Sequence, residues 1–118
     1  MKINDKRKEQ RILSTHLIFY ISLDEHDQAM MQGMGRTLNV SEGGILLETH
    51  VLLNPHYRVI LTIALEDELM EFMGRIAHST KQADGSFATG VQFIDMDDRE
   101  RRYLRQYVIL FAGLNNNL

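Results

Sequence analysis

The chain has 118 residues, 44% of them hydrophobic, which suits one domain with one core. A formal net charge of -3 gives no whole-molecule attraction to nucleic acid, so any anion site must be local. The absence of cysteine excludes a disulfide framework, a thiolate metal site and a thiol nucleophile, and the longest apolar runs, such as Leu17 to Ile21, are strand-sized rather than membrane-spanning.

In chain order, the first feature is a short basic arm, residues 1–12, in which Lys2, Lys6, Arg7, Lys8 and Arg11 face only Asp5 and Glu9. The body that follows is acidic. By charge alone such an arm is a solvated terminus. It lacks the apolar stretch of a secretory signal, so the expected location is cytoplasmic, without membrane insertion.

From Thr15 the sequence becomes a series of short β-like runs separated by turn residues, the pattern of an all-β barrel or sandwich. Leu17 to Ser22 is the first, ended by a polar loop from Asp24 to Gln28. Asp24, Glu25, His26 and Asp27 are better explained there as a solvated acidic turn than as a cation site. Met34 to Leu38 and Ile45 to Thr49 follow, with Asn39, Ser41, Gly43 and Gly44 as breakers between them. After Pro55, the residues Tyr57, Val59, Leu61, Ile63 and Leu65 alternate with Arg58, Thr62 and Ala64, which predicts a strand with one buried face and Ile60 as an outer-face exception. Glu71 to Thr80 and Phe87 to Ile94 flank Asp84-Gly85, a dipeptide that tolerates the positive φ of a tight turn, so the two are predicted to pair antiparallel. On the last run Phe87, Thr89, Val91 and Phe93 share one face. The other face has the small residues Ala88 and Gly90 beside Gln92, leaving room for something to pack closely.

The period then changes to that of a helix over about residues 97–112. Asp97 and Glu100 are spaced as a capping box, Leu104, Tyr107, Val108 and Phe111 form an apolar stripe expected to plug one end of the β-structure, and Gly113 is the expected stop. Tyr103, Tyr107 and Phe111 read as helix core. Residues 13–114 form the expected domain, and residues 115–118 a frayed tail.

Two short motifs stand out when taken together. One is Arg7-Lys8-Glu9-Gln10-Arg11, with two arginines four apart before the first strand; the other is Asn39-Val40-Ser41-Glu42-Gly43-Gly44, between the second and third strands. Each alone is weak. Arg101 and Arg105 repeat the arginine spacing on the predicted helix, where it merely places both on one solvated face. In order and in strand context, however, the pair resembles the signature of the PilZ family, an RxxxR arm followed by (D/N)xSxxG. Gly90-Val91-Gln92-Phe93 and the closing helix are similar to the later part of that domain.

The resemblance implies a six-stranded antiparallel β-barrel with a C-terminal α-helix, binding the bacterial second messenger cyclic di-GMP. It implies no catalysis and no cofactor or metal besides that ligand. The ligand presents two phosphates and two guanines, and arginine meets either with a planar, two-pronged hydrogen-bond geometry, which assigns Arg7 and Arg11 as principal contacts. Asn39 offers an acceptor and two donors, and Ser41 a hydroxyl. Gly44, and with it Gly43, is expected to turn with positive φ and bring backbone N–H groups toward a phosphate. Lys6 stands just before the first arginine, where the family's choice between one ligand and a stacked pair is influenced. The expected output is a surface change read by a protein of motility, adhesion or polysaccharide machinery. The alternatives are a PilZ-like adaptor without nucleotide binding, and an OB-like binder of single-stranded nucleic acid. The acidic balance and the absence of Trp oppose the second. An enzyme is disfavoured: His16, His26, His50, His56 and His78 show no close metal-ligand spacing, and Ser41 lacks a nucleophile elbow.

Overall fold

The structure, a computed structural model, describes residues 17–116. Six strands, β1 (Leu17–Leu23), β2 (Ala29–Val40), β3 (Gly44–Thr49), β4 (Arg58–Leu65), β5 (Glu68–Lys81) and β6 (Phe87–Ile94), precede one helix, α1 (Asp98–Asn116). The strands close into a barrel in the order β1-β2-β3-β6-β5-β4, and every neighbouring pair is antiparallel. Closure leaves no open sheet edge. Of the barrel and the sandwich that the strand pattern allowed, the chain adopts the barrel.

Alternation along the strands fills the barrel. Val59, Leu61 and Ile63 of β4 are fully buried together with Ile18 of β1, Leu47 of β3 and Ile76 of β5. A small polar knot lies among them, in which Thr49 Oγ1 meets Thr89 Oγ1 at 3.0 Å and Thr89 Oγ1 meets Ser79 Oγ at 2.8 Å. Among the described residues no buried side-chain polar atom lacks a partner. Leu53, in the β3–β4 connection, is also buried, held where Ser79 Oγ accepts its backbone N–H.

Helix α1 closes one end of the barrel. Asp97 and Glu100 form the expected capping box: Asp97 Oδ1 accepts the Glu100 N–H at 2.7 Å, and Glu100 Oε1 accepts the Asp97 N–H at 2.9 Å. Tyr103, Leu104, Tyr107 and Phe111 are buried. The Tyr103 hydroxyl reaches the carbonyls of Ile63 and Glu68 at 2.9 and 2.8 Å, and that of Tyr107 meets Thr37 Oγ1 at 2.8 Å. Burial raises the pKa of both phenols, that of Tyr107 to about 12.

The structure departs from the sequence reading at the starts of β2 and β5, at the end of α1 and in the backbone of two glycines. Strand β2 begins at Ala29, not Met34, because Ala29 to Gln32 pair with β1 while exposed on both faces, so no burial pattern marks them. Strand β5 begins at Glu68, after a Glu66-Asp67 turn in which Glu66 takes a φ of 55° without glycine. Gly113 does not stop the helix, which continues to Asn116, so residues 115 and 116 are helical rather than frayed. Gly43 and Gly44 do not take positive φ; the only glycine among the described residues that does is Gly85, at 91°, in the expected β5–β6 turn.

Candidate functional site

The outer wall of the barrel carries the candidate site, and the strand register builds it. Asn39 of β2 is opposite Leu46 of β3, Leu46 is opposite Gly90 of β6, and Gly90 is opposite His78 of β5. Two bulges fix this row, one between Thr37 and Asn39 and one between Ile76 and His78. Each adds a residue to its strand and re-aims the side chains after it. In the adjacent row Gly44 is opposite Gln92, Gln92 is opposite Arg75, and Arg75 is opposite Arg58.

Between these rows lies a shallow recess of about 330 Å³, with Asn39, Ser41, Gly43 and Gly44 on one side and His78, Gly90 and Gln92 on the other. The room anticipated beside Gly90 is occupied by the ring of His78, which lies so near that a β-carbon at residue 90 would stand 2.8 Å from His78 Cε1. An apolar glycine floor with an imidazole upon it offers a flat surface to an aromatic base.

The loop is held by its own polar groups. The Ser41 N–H donates to the Gly44 carbonyl at 2.9 Å, the Gly43 N–H donates to Ser41 Oγ at 3.3 Å, and the Gly43 carbonyl accepts the Phe93 N–H at 3.0 Å. Asn39 Oδ1 accepts the Val40 N–H at 3.0 Å, while its Nδ2 makes no hydrogen bond among the described residues. Gly44 is required for close approach rather than for a left-handed backbone: a β-carbon there would stand 2.6 Å from the Val91 carbonyl oxygen. The expected positive φ at Gly43 and Gly44 is thus replaced by tight packing of β3 on β6 at the second glycine.

Charge is distributed unevenly around this surface. Arg58 is bonded to Asp27, whose carboxylate raises its pKa, while Arg75 makes no ion pair among the described residues and presents a cation one row from the loop. Asp24 Oδ1 accepts the N–H groups of Gln28 and His26 at 2.9 and 2.8 Å, which hold its pKa below the usual value. The acidic turn is therefore engaged with its own backbone and with Arg58, and among the described residues no group of three or more His, Asp or Glu is placed to hold a metal. A larger recess of about 410 Å³ near the β4–β5 turn is lined by Glu66, Asp67 and Glu68, which would repel a phosphate.

Of the sequence-predicted residues, Asn39, Ser41, Gly43 and Gly44 come together in one recess, and Lys6, Arg7 and Arg11 lie outside the described residues. Reading the sequence missed His78, Gln92 and Arg75. The signal was present only as Gly90 on a strand face of small residues; which side chain filled the space depended on the β5 bulge.

A search of curated proteins gave no match. Among solved structures, the barrel is similar to one described as the PilZ domain with c-di-GMP of YcgR from Escherichia coli, with a TM-score of 0.62, 9% identity, and coverage of 85% of this chain and 86% of that one. It is also similar to the Bacillus subtilis inhibitor of motility, MotI/DgrA, with a TM-score of 0.61, 15% identity, and coverage of 84% of this chain and 48% of that one, so this chain matches about half of that protein's length. At these identities the likeness is one of fold. The sequence itself matches the PilZ domain family over residues 5–110, a span that takes in the RxxxR motif, the NxSxxG loop and the first two thirds of the closing helix. The chain is therefore a member of the PilZ domain family.

Proposed function

We propose that this PilZ domain binds cyclic di-GMP and acts as a ligand-switched effector, altering its contacts with a partner protein rather than carrying out a reaction. The observation that carries the reading is the recess in which Asn39, Ser41, Gly43 and Gly44 meet the β5–β6 wall, in a chain that also has the family's RxxxR arm. Arg7 and Arg11 grip phosphate or the guanine O6/N7 edge in a bidentate manner, with Lys6 adding charge beside them. Asn39 Nδ2 donates to the ligand. The His78 ring gives a guanine a face to stack on, and Arg75 supplies a cation from the far side.

Arm and recess are separate parts of the chain that one dianionic ligand joins, so binding changes the surface that a partner reads. The fold neighbour described as an inhibitor of motility favours a partner in motility machinery. Titration calorimetry with cyclic di-GMP, run beside cyclic di-AMP and GTP, tests the reading. Saturable heat with cyclic di-GMP alone is the expected result. No heat and no thermal protection from well-folded protein would leave the adaptor reading, a protein-interaction module that binds no nucleotide.

A further inference from the structure

The helix arginines set apart in sequence as a solvated pair face the NxSxxG loop. Arg101 and Arg105 line a recess of about 380 Å³ with Glu42, Gly43, Met96 and Leu104. Leu104 is almost fully buried and Met96 packs against the core, so the floor is apolar, while the walls are two guanidinium-bearing side chains one helical turn apart. Gly43 lines both this recess and the one on the sheet face, so the loop is the partition between them.

The charges on this face do not cancel. Arg105 Nε donates to Glu42 Oε1 at 2.8 Å, but the two side chains are 58% and 64% exposed, so the pair holds weakly. Arg101 has no ion pair among the described residues. Asp97, four residues before it, is engaged in the capping box, where its Oδ1 accepts the Glu100 N–H. One uncommitted arginine therefore lies beside a second that is loosely held by a loop carboxylate.

We infer that the recess between helix and loop is a second anion subsite that takes a phosphate group, with Glu42 as the internal occupant an incoming phosphate displaces from Arg105. Two arginines present the forked donors that phosphate accepts better than a single exposed carboxylate can. Because Glu42 lies between Ser41 and Gly43, its release is felt directly in the loop that also borders the sheet-face recess. The subsite rests on the helix face and does not depend on the sheet face taking cyclic di-GMP. The phosphate belongs either to a free phosphoanion or to a cyclic di-GMP molecule, and the experiment separates the two.

The test is calorimetric titration of the full chain with inorganic pyrophosphate, and separately with cyclic di-GMP, for wild type and three variants. Glu42→Gln removes the competitor and should tighten pyrophosphate binding about two- to fivefold, the range an exposed ion pair supports. The double variant Arg101→Gln/Arg105→Gln should weaken it by at least about tenfold with unchanged thermal unfolding. Arg99→Gln/Arg102→Gln removes the same charge from exposed helix positions outside the recess and should leave binding as in wild type. An unchanged or weaker Glu42→Gln, or equal losses in the two double variants, would overturn the proposal. If Arg101→Gln/Arg105→Gln also lowers the cyclic di-GMP stoichiometry, the phosphate belongs to the dinucleotide; if only pyrophosphate binding is lost, it belongs to a free phosphoanion. Absence of cyclic di-GMP heat in wild type would defeat the sheet-face reading while leaving the pyrophosphate result intact.

Discussion

The imidazole of His78 on β5 lies over Gly90 on β6, where a β-carbon would stand 2.8 Å from Cε1 and 3.0 Å from Cδ2. The obstruction is the end of a flexible side chain, so Gly90→Ala should move the ring and leave the barrel intact, with unfolding free energy within about 0.5 kcal/mol of wild type. His78→Ala should lower cyclic di-GMP affinity roughly tenfold, near the lower end of what stacking under a base contributes. The nuclear magnetic resonance shift of the His78 ring in Gly90→Ala, read beside calorimetric affinities of both variants, checks the pair. Wild-type affinity in His78→Ala would remove the ring from the site.

The two loop glycines should respond unequally. Gly44→Ala forces a β-carbon to within 2.6 Å of the Val91 carbonyl oxygen, which is backbone and cannot swing aside. The expected cost is about 1–3 kcal/mol, the usual range for overpacking. Gly43→Ala meets nothing within 4 Å and should be neutral within about 0.5 kcal/mol. Denaturant melts of the two variants measure the difference.

Arg7→Ala and Arg11→Ala should each weaken cyclic di-GMP binding roughly ten- to a hundredfold, since a good bidentate arginine contact contributes about 1–3 kcal/mol. Thermal unfolding without ligand should match wild type in both variants. Titration calorimetry that finds either variant as tight as the parent would remove that arginine from the site.

Leu104→Ala should cost about 2–5 kcal/mol, because Leu104 is almost fully buried where α1 closes the barrel. The loss should appear as one cooperative transition in circular dichroism. A separate early helix transition would show instead that barrel and helix unfold independently.

Alkaline conditions should unfold the domain through its tyrosines. Tyr20, Tyr103 and Tyr107 all have pKa values raised above the ordinary 10.0 by burial, that of Tyr107 to about 12. A raised phenol pKa favours the neutral form in the folded state. Its stabilising contribution is therefore full below pH 10 and is lost as the pH climbs from there through about 12. Ultraviolet tyrosinate absorbance followed together with circular dichroism should show these phenols ionising with unfolding. Ionisation completed while the fold persists would contradict their burial.

Local chemistry made much of the fold legible. The alternation through Val59, Leu61 and Ile63, the Asp84-Gly85 turn and the Asp97–Glu100 capping box each depend on neighbours a few residues away, so periodicity and spacing were sufficient. The first part of β2 and the start of β5 were hidden for the converse reason. Ala29 to Gln32 are exposed on both faces, and the Glu66-Asp67 turn reaches positive φ at Glu66 without the usual glycine.

By itself, the sequence determined the strand count, the closing helix and the chemical identity of the arm and loop, because these follow from residue types in short windows. Only the tertiary structure decided that Gly44 is needed for its approach to Val91, that His78 covers Gly90, and that Arg105 reaches Glu42 across 63 positions of chain. Such contacts join segments far apart in sequence. Barrel register, the two bulges and the seating of the helix set them, and no local pattern encodes the distance at which separate strands meet.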